Sequence, residues 1–305
     1  MAVSMKNEIL FCFLVGCPRS GTSLLQRLLA EHPKVATLPE THFYRDLNFH
    51  LRSREGGSQP NNGLGGIRSR IFPRVGLATP NAVSRLNTTL KEIDANIELL
   101  NAKGLHSFNK VLGLYKAQLT RFARRQGALV ILEKTPDHVN YIDRITTYHP
   151  AAKFIHIVRN GKDAIASLHD ASIRFPQTHW GPRYSNLENC CARWNNATND
   201  SLRYLSAPNH LHIRFENLVL APDEAKNQMI SFLELPLDNT KDVATSEVIR
   251  PEESWKNDVF APIKKPADKF SHLFDDNQQA YILNQVTQIQ QKVETLLPLS
   301  STQSN

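Results

Sequence analysis

No apolar run in the 305 residues approaches the roughly 20 needed to cross a bilayer, the longest being Ile9 to Val15. An integral membrane protein is excluded for the chain as written. Cysteine is scarce. Its four residues fall in two pairs, Cys12 with Cys17 and Cys190 with Cys191, with neither Cys-x-x-Cys spacing nor the partner histidines of a zinc site. A disulfide framework and a metal site are therefore not expected, and buried reduced thiols are. Apart from two short groups, Arg68, Arg70, Arg74 and Arg121, Arg124, Arg125, the cations are scattered. No aromatic residues interleave with them on a basic strand, so nucleic acid is not an expected partner. Internal repeats and a convincing interdomain linker are also missing, which favours one elaborated domain over two.

The composition, 41% hydrophobic and 21% charged, is that of an ordinary folded globular chain. Its net charge of +7 favours an anionic partner without naming it. Lys6, the short apolar run and Leu14-Val15-Gly16-Cys17 mimic a lipoprotein signal. The run sits at the short limit for such a signal, and the residues after Cys17 have a better use. A cytoplasmic setting is expected, where the sequons at Asn87, Asn196 and Asn199 carry no meaning.

Ile9 to Val15 is a continuous apolar run of strand length, followed by a glycine-bearing turn and a helical pattern in Leu24, Leu25, Leu28 and Leu29. Comparable runs at 129–132, 153–158 and 211–215 each precede a segment that can be helical. This alternation predicts an α/β fold, a central parallel sheet flanked by helices. Further helices are expected at 90–100, 108–125, 137–148, 162–169, 187–205 and 275–296. The stretch 52–70, with five glycines and a proline, reads as a mobile loop, and the tail after Leu299 as frayed.

Gly16-Cys17-Pro18-Arg19-Ser20-Gly21-Thr22-Ser23 has the G-x-x-x-x-G spacing of a phosphate-binding loop, directly after a strand and opening a helix. Glycines let backbone N–H groups turn towards a phosphate, and the helix N-terminus adds about half a positive charge. A strand-to-helix turn needs no ligand, so the spacing alone decides little. Arg19 and the hydroxyls of Thr22 and Ser23 in the same loop tip the reading to an anionic nucleotide. Thr22 stands where a nucleoside triphosphatase carries lysine. The neighbouring strands end in Glu133-Lys134 and Arg159-Asn160, not in a magnesium-binding aspartate. A metal-free, P-loop-like site is expected.

These residues carry a resemblance. Pro18-Arg19-Ser20-Gly21-Thr22-Ser23, then His32-Pro33 and Pro39-Glu40-Thr41, is similar to the start of the sulfotransferases that use 3′-phosphoadenosine-5′-phosphosulfate (PAPS), particularly the tyrosylprotein branch and related bacterial enzymes. Three more segments follow in chain order: Glu133-Lys134-Thr135-Pro136, Phe154 to Ala164 leading to Ser167, and Arg214-Phe215-Glu216-Asn217-Leu218. The resemblance covers 9–42 and 131–219 of a single domain spanning 1–305. It leaves 50–128 and 220–298 as helical or loop elaborations on the acceptor side. Phe215 stands where some relatives have tyrosine, and the family's late glycine-rich phosphate segment is missing, with Trp255-Lys256 or Lys264-Lys265 as its substitutes.

The resemblance implies transfer of a sulfuryl group to an acceptor hydroxyl on a carbohydrate, lipid, tyrosine or small metabolite. Adenosine 3′,5′-bisphosphate leaves and no metal takes part. Pro18, Arg19, Ser20, Gly21, Thr22 and Ser23 would cradle the 5′-phosphosulfate, and Arg159 with Ser167 the 3′-phosphate. Arg19 and Lys134, at the carboxyl ends of parallel strands, suit the leaving side, although a strand-end lysine can also be merely solvated. The acceptor must lose a proton. Glu40 is the candidate general base on its family counterpart, and His138, four residues after Lys134, is the second candidate. Two other classes share these features. A P-loop kinase or other NTP-dependent enzyme is disfavoured by the missing lysine and carboxylate, and a non-catalytic anion-binding protein would use the same cations as a patch.

Overall fold

Strand β1, Leu10–Gly16, lies at the middle of the sheet, and its inner residues are buried on both faces. Its alternate side chains enter two separate cores. Phe11, Phe13 and Val15 join Tyr115, Leu119, Phe154 and Ile165 on one face, while Cys12 and Leu14 join Leu25, Leu29, Ile155 and Met229 on the other. A strand covered twice must be apolar at every position, which is why it reads as an unbroken run. The computed structural model describes residues 8–47, 72–93, 97, 99–237, 240–251 and 253–300. Its sheet has five strands, β2 Val35–Leu38, β3 Val130–Lys134, β4 Lys153–Val158 and β5 His210–Arg214 joining β1 in the order β2-β3-β1-β4-β5. All neighbours are parallel. This is the single α/β domain expected.

The register carries every strand's carboxyl end to one edge: Leu14 pairs with Lys134, Gly16 with Ile157, Leu38 with Glu133 and Val158 with Arg214. The segments after those ends, 17–21, 39–42, 135, 159–160 and 215, therefore converge. In open parallel sheets this is the edge where ligands bind.

Helix Phe108–Arg125 has the bounds expected, opened by Ser107, whose side chain accepts from the Lys110 amide. Elsewhere the boundaries move. The helix expected at 90–100 runs Pro80–Ile93, because Thr79 Oγ1 caps the Ala82 amide and Pro80 supplies a first-turn φ. The segment 137–148 divides into a 3₁₀ turn, Pro136–Tyr141, and helix Ile142–Tyr148. The expected 162–169 helix extends over Gly161–Arg174, and the expected 187–205 helix closes at Leu202. The last helix is Asp276–Leu296, with Asp275 and Gln278 forming a capping box. The loop read at 52–70 and the tail beyond Ser300 lie outside the described residues. Among the described residues, no helix is long and apolar enough to cross a membrane.

Candidate active site

The loop after β1 is built from backbone that L side chains rarely adopt. Arg19 has φ 67° and Gly21 φ 95°, and Gly21 opens helix α1, Thr22–Ala30, with no side-chain cap. A Cβ at Gly21 would lie 2.5 Å from the Phe215 ring, and one at Gly16 2.5 Å from the Ile157 carbonyl oxygen. The α1 amides therefore face the loop without intrahelical acceptors, which is an anion-binding arrangement. Two guanidinium groups flank it. Arg159 donates to the Arg19 carbonyl at 3.0 Å and stacks 4.4 Å over the Phe215 ring. Arg19 donates to the Trp255 carbonyl at 3.3 Å. The Nε of each arginine is buried without a partner among the described residues, and burial followed by the Arg159 charge lowers the Arg19 pKa from its ordinary value. Two crowded cations with spare donors beside free amides fit a bound anion.

At the neighbouring strand ends a buried ionic cluster forms. The Lys134 ammonium, fully buried, donates to Glu40 Oε1 at 2.6 Å and to Ser23 Oγ at 3.2 Å. Lys256 donates to the same Glu40 oxygen at 2.7 Å and also to Glu253. His42 Nε2 lies 3.5 Å from Glu40 Oε2. Burial works to raise the Glu40 carboxyl, but Lys134, Lys256 and His42 overcome it and hold the group well below the carboxylate range. Burial lowers Lys134 to about 8 against the pull of Glu40. Burial, with Arg45 nearby, lowers His42 to about 3, so His42 is neutral near pH 7.

Sequence neighbours of this cluster do different work. Glu133 Oε1 accepts from Thr41 at 2.8 Å and Thr135 at 2.7 Å, and His138 Nδ1 meets Glu133 Oε2 at 2.8 Å. His138 Nε2 accepts the Tyr44 amide at 3.2 Å. That fixes the Nδ1–H tautomer. Both of its nitrogens are committed, and the ring has no exposed surface. His138, expected as the second candidate base, holds the chain from Thr41 to Tyr44 together with Glu133.

The remaining candidates divide between the loop and the helix after β4. Thr22 and Ser23 open α1, and Ser20 is buried inside the loop after Pro18. Ser167 is buried within helix Gly161–Arg174 and has no hydrogen bond to Arg159 among the described residues. Arg159 is instead seated by Trp194 Nε1, which donates to its carbonyl at 3.0 Å, and by Glu216, which accepts the Asn160 amide at 2.8 Å. Trp194 therefore supports the site as well as packing a helix. Trp255-Lys256, expected at a phosphate, lies with Lys256 on Glu40 and with Trp255 against Phe175 and Trp180, its carbonyl on Arg19. Lys264 and Lys265 stand exposed.

The model of the sulfotransferase family matches residues 12–239. The chain belongs to that family. It is similar to the protein-tyrosine sulfotransferase of Drosophila melanogaster, 22% identical over 238 residues, 76% of this chain and 40% of that one. It is also similar to protein-tyrosine sulfotransferase 1 of Danio rerio, 25% identical over 231 residues, 73% and 53% respectively. The nodulation protein NoeE of Sinorhizobium fredii is 25% identical over 159 residues, 52% of this chain and 31% of that one. The chain thus spans about a third to a little over half of these curated relatives. Among solved structures, mouse sulfotransferase SULT7A1 complexed with PAP superposes with a TM-score of 0.53 at 13% identity, covering 94% of this chain and 86% of that one. At that identity the likeness speaks for the fold.

Proposed function

We propose that this member of the sulfotransferase family transfers a sulfuryl group from PAPS to an acceptor hydroxyl. The observation that carries the reading is the Lys134 ammonium, which touches both Ser23 of the anion loop and the carboxylate of Glu40. A cation for the leaving side and a base for the acceptor thereby share one buried site. The donor, when bound, supplies the sulfuryl group and a bisphosphate leaving group. The loop 18–23 with the first amides of α1 would hold its 5′ end, and Arg159 with Ser167 its 3′-phosphate. Arg19 and Lys134 offset charge developing on the departing phosphate. Glu40 takes the acceptor proton, and its position well below the ordinary carboxylate range keeps it ionised near pH 7. Protein-tyrosine sulfotransferases among the relatives support a hydroxyl acceptor of the tyrosyl class. Four free, buried thiols support a reducing, cytoplasmic setting.

The test has two arms. Adenosine 3′,5′-bisphosphate should raise Tm, by about 2.7 kcal/mol of stabilisation at a hundredfold excess over Kd, and magnesium ATP far less. Glu40→Gln should then lower labelled sulfate transfer by about 10² to 10⁴ with bisphosphate binding intact. Equal stabilisation by magnesium ATP sinks the donor assignment, and normal turnover in Glu40→Gln sinks the base.

A further inference from the structure

Residues beyond the family-model match reach the centre of the site. Arg250, Glu253 and Lys256 are spaced by three, and the turn that carries them closes over the segment after β2. Arg250 Nη1 donates to the Glu40 carbonyl at 2.6 Å, and its own amide donates to Glu253 Oε2 at 3.0 Å. Glu253 grips Lys256 through its other oxygen, and Lys256 reaches Glu40 Oε1 at 2.7 Å. Main chain and carboxylate of the same residue are thus held by one short stretch. Glu253 and Lys256 are themselves buried, so neither is a solvated rim charge.

The division of labour between the two lysines is asymmetric. Lys134 has a second partner in the anion loop, Ser23, whereas the second partner of Lys256 is Glu253, on its own turn. A cation that serves the leaving phosphate cannot also fix the base throughout the reaction. Lys256 makes no hydrogen bond to the loop among the described residues.

We infer that Lys256, tethered by Glu253, is the positioning residue for Glu40, orienting its carboxylate and keeping it ionised. This rests on Glu40 acting as the base. Among the described residues, the charged and titratable groups facing Glu40 are Lys134 from the end of β3, His42 from its own segment, Asp137 from the 3₁₀ turn, and Lys256 with Glu253 from the covering turn, while Arg250 sits on its carbonyl. Removing one of the two ammonium groups must push the Glu40 carboxyl upward, since an opposite charge within about 4–6 Å lowers a carboxyl by roughly 1–3 pH units.

The experiment is the pH profile of kcat/KM for the acceptor in wild type, Lys256→Met, Lys256→Arg and Glu253→Gln, with bisphosphate Kd measured by calorimetry. The acid limb of Lys256→Met should move up by about one pH unit, costing roughly tenfold in rate below its new midpoint. Kd should stay within about twofold, and Lys256→Arg should restore the limb. Glu253→Gln should move it the same way by less, and it carries the test if Lys256→Met does not fold. Acid limbs that superimpose with wild type in the folded variants overturn the inference. The base reading fails separately, through an active Glu40→Gln.

Discussion

Gly21→Ala tests whether the loop geometry and the arginine it seats are one mechanical unit. The new methyl would meet Phe215 Cδ2 at 2.5 Å and Cε2 at 2.8 Å, and the backbone would have to hold alanine at φ 95°. A left-handed non-glycine residue costs about 1–3 kcal/mol and overpacking a filled site about 1–3 more. Taking the middle of the combined range gives a loss of about 4 kcal/mol. Over 305 residues, with about 2.1 cal/mol/K of unfolding entropy each, that is ~6 °C in Tm. The ring cannot yield without moving the Arg159 guanidinium stacked 4.4 Å above it, so bisphosphate affinity should fall by tenfold or more. Differential scanning calorimetry and titration calorimetry read the two effects. Adding Phe215→Ala removes the clashing atoms, so the double variant should cost clearly less stability than the sum of the singles. Affinity should stay low, because the seat of Arg159 has gone. A Gly21→Ala protein with wild-type Tm and wild-type affinity would refute the reasoning.

Two further outcomes follow from buried titratable groups. Burial, with Lys116 nearby, lowers His149 from 6.5 to about 4, so below pH 6.5 the unfolded chain gains a proton that the fold refuses. Stability should fall as pH drops from 6.5 to 4, by up to about 1.4 kcal/mol per pH unit for this group. His149→Gln should flatten that slope in Tm against pH, and parallel curves would remove His149 as its cause. Glu133→Gln weakens three hydrogen bonds to a charged acceptor, from Thr41, Thr135 and His138, so it should cost about 3 kcal/mol in urea unfolding. It should also lower turnover through the 41–44 segment. An unchanged urea midpoint would contradict the role given to Glu133.

The parts of the fold legible in the sequence are those whose cause is local. β1 is set by an apolar run of strand length, the loop by glycines at its bends, and helix Phe108–Arg125 by a 3.6-residue stripe in Val111, Leu112, Tyr115 and Leu119 with Ser107 as its cap. Helix Pro80–Ile93 buries only a thin row, among it Val83, Leu86 and Leu90, and its start signal is the Thr79 side chain. The row's last leucine is legible without the cap, so the apolar pattern alone starts the helix ten residues late. Lys256 was legible as a cation but not as a partner of Glu40, because 216 positions separate them and no pattern spans such a gap.

His138 shows how spacing along the chain differs from placement in the fold. Its spacing from Lys134 suggests a shared helical face, but Thr135 and Pro136 turn the chain into 3₁₀ geometry, three residues per turn, at that point. The deciding constraint is older than the turn: Glu133 and Lys134 are consecutive in a strand and must point to opposite faces of the sheet. The segment after β2 meets them in the same alternation, Glu40 on Lys134 and Thr41 on Glu133. His138 follows Glu133 into the face that packs on Phe13 and Tyr44. Lys134 joins Glu40 to Ser23 of the anion loop, and Glu133 joins Thr41 to His138, so the period of one strand puts the two carboxylates on opposite faces; in the proposed reading the first is the base and the second its support.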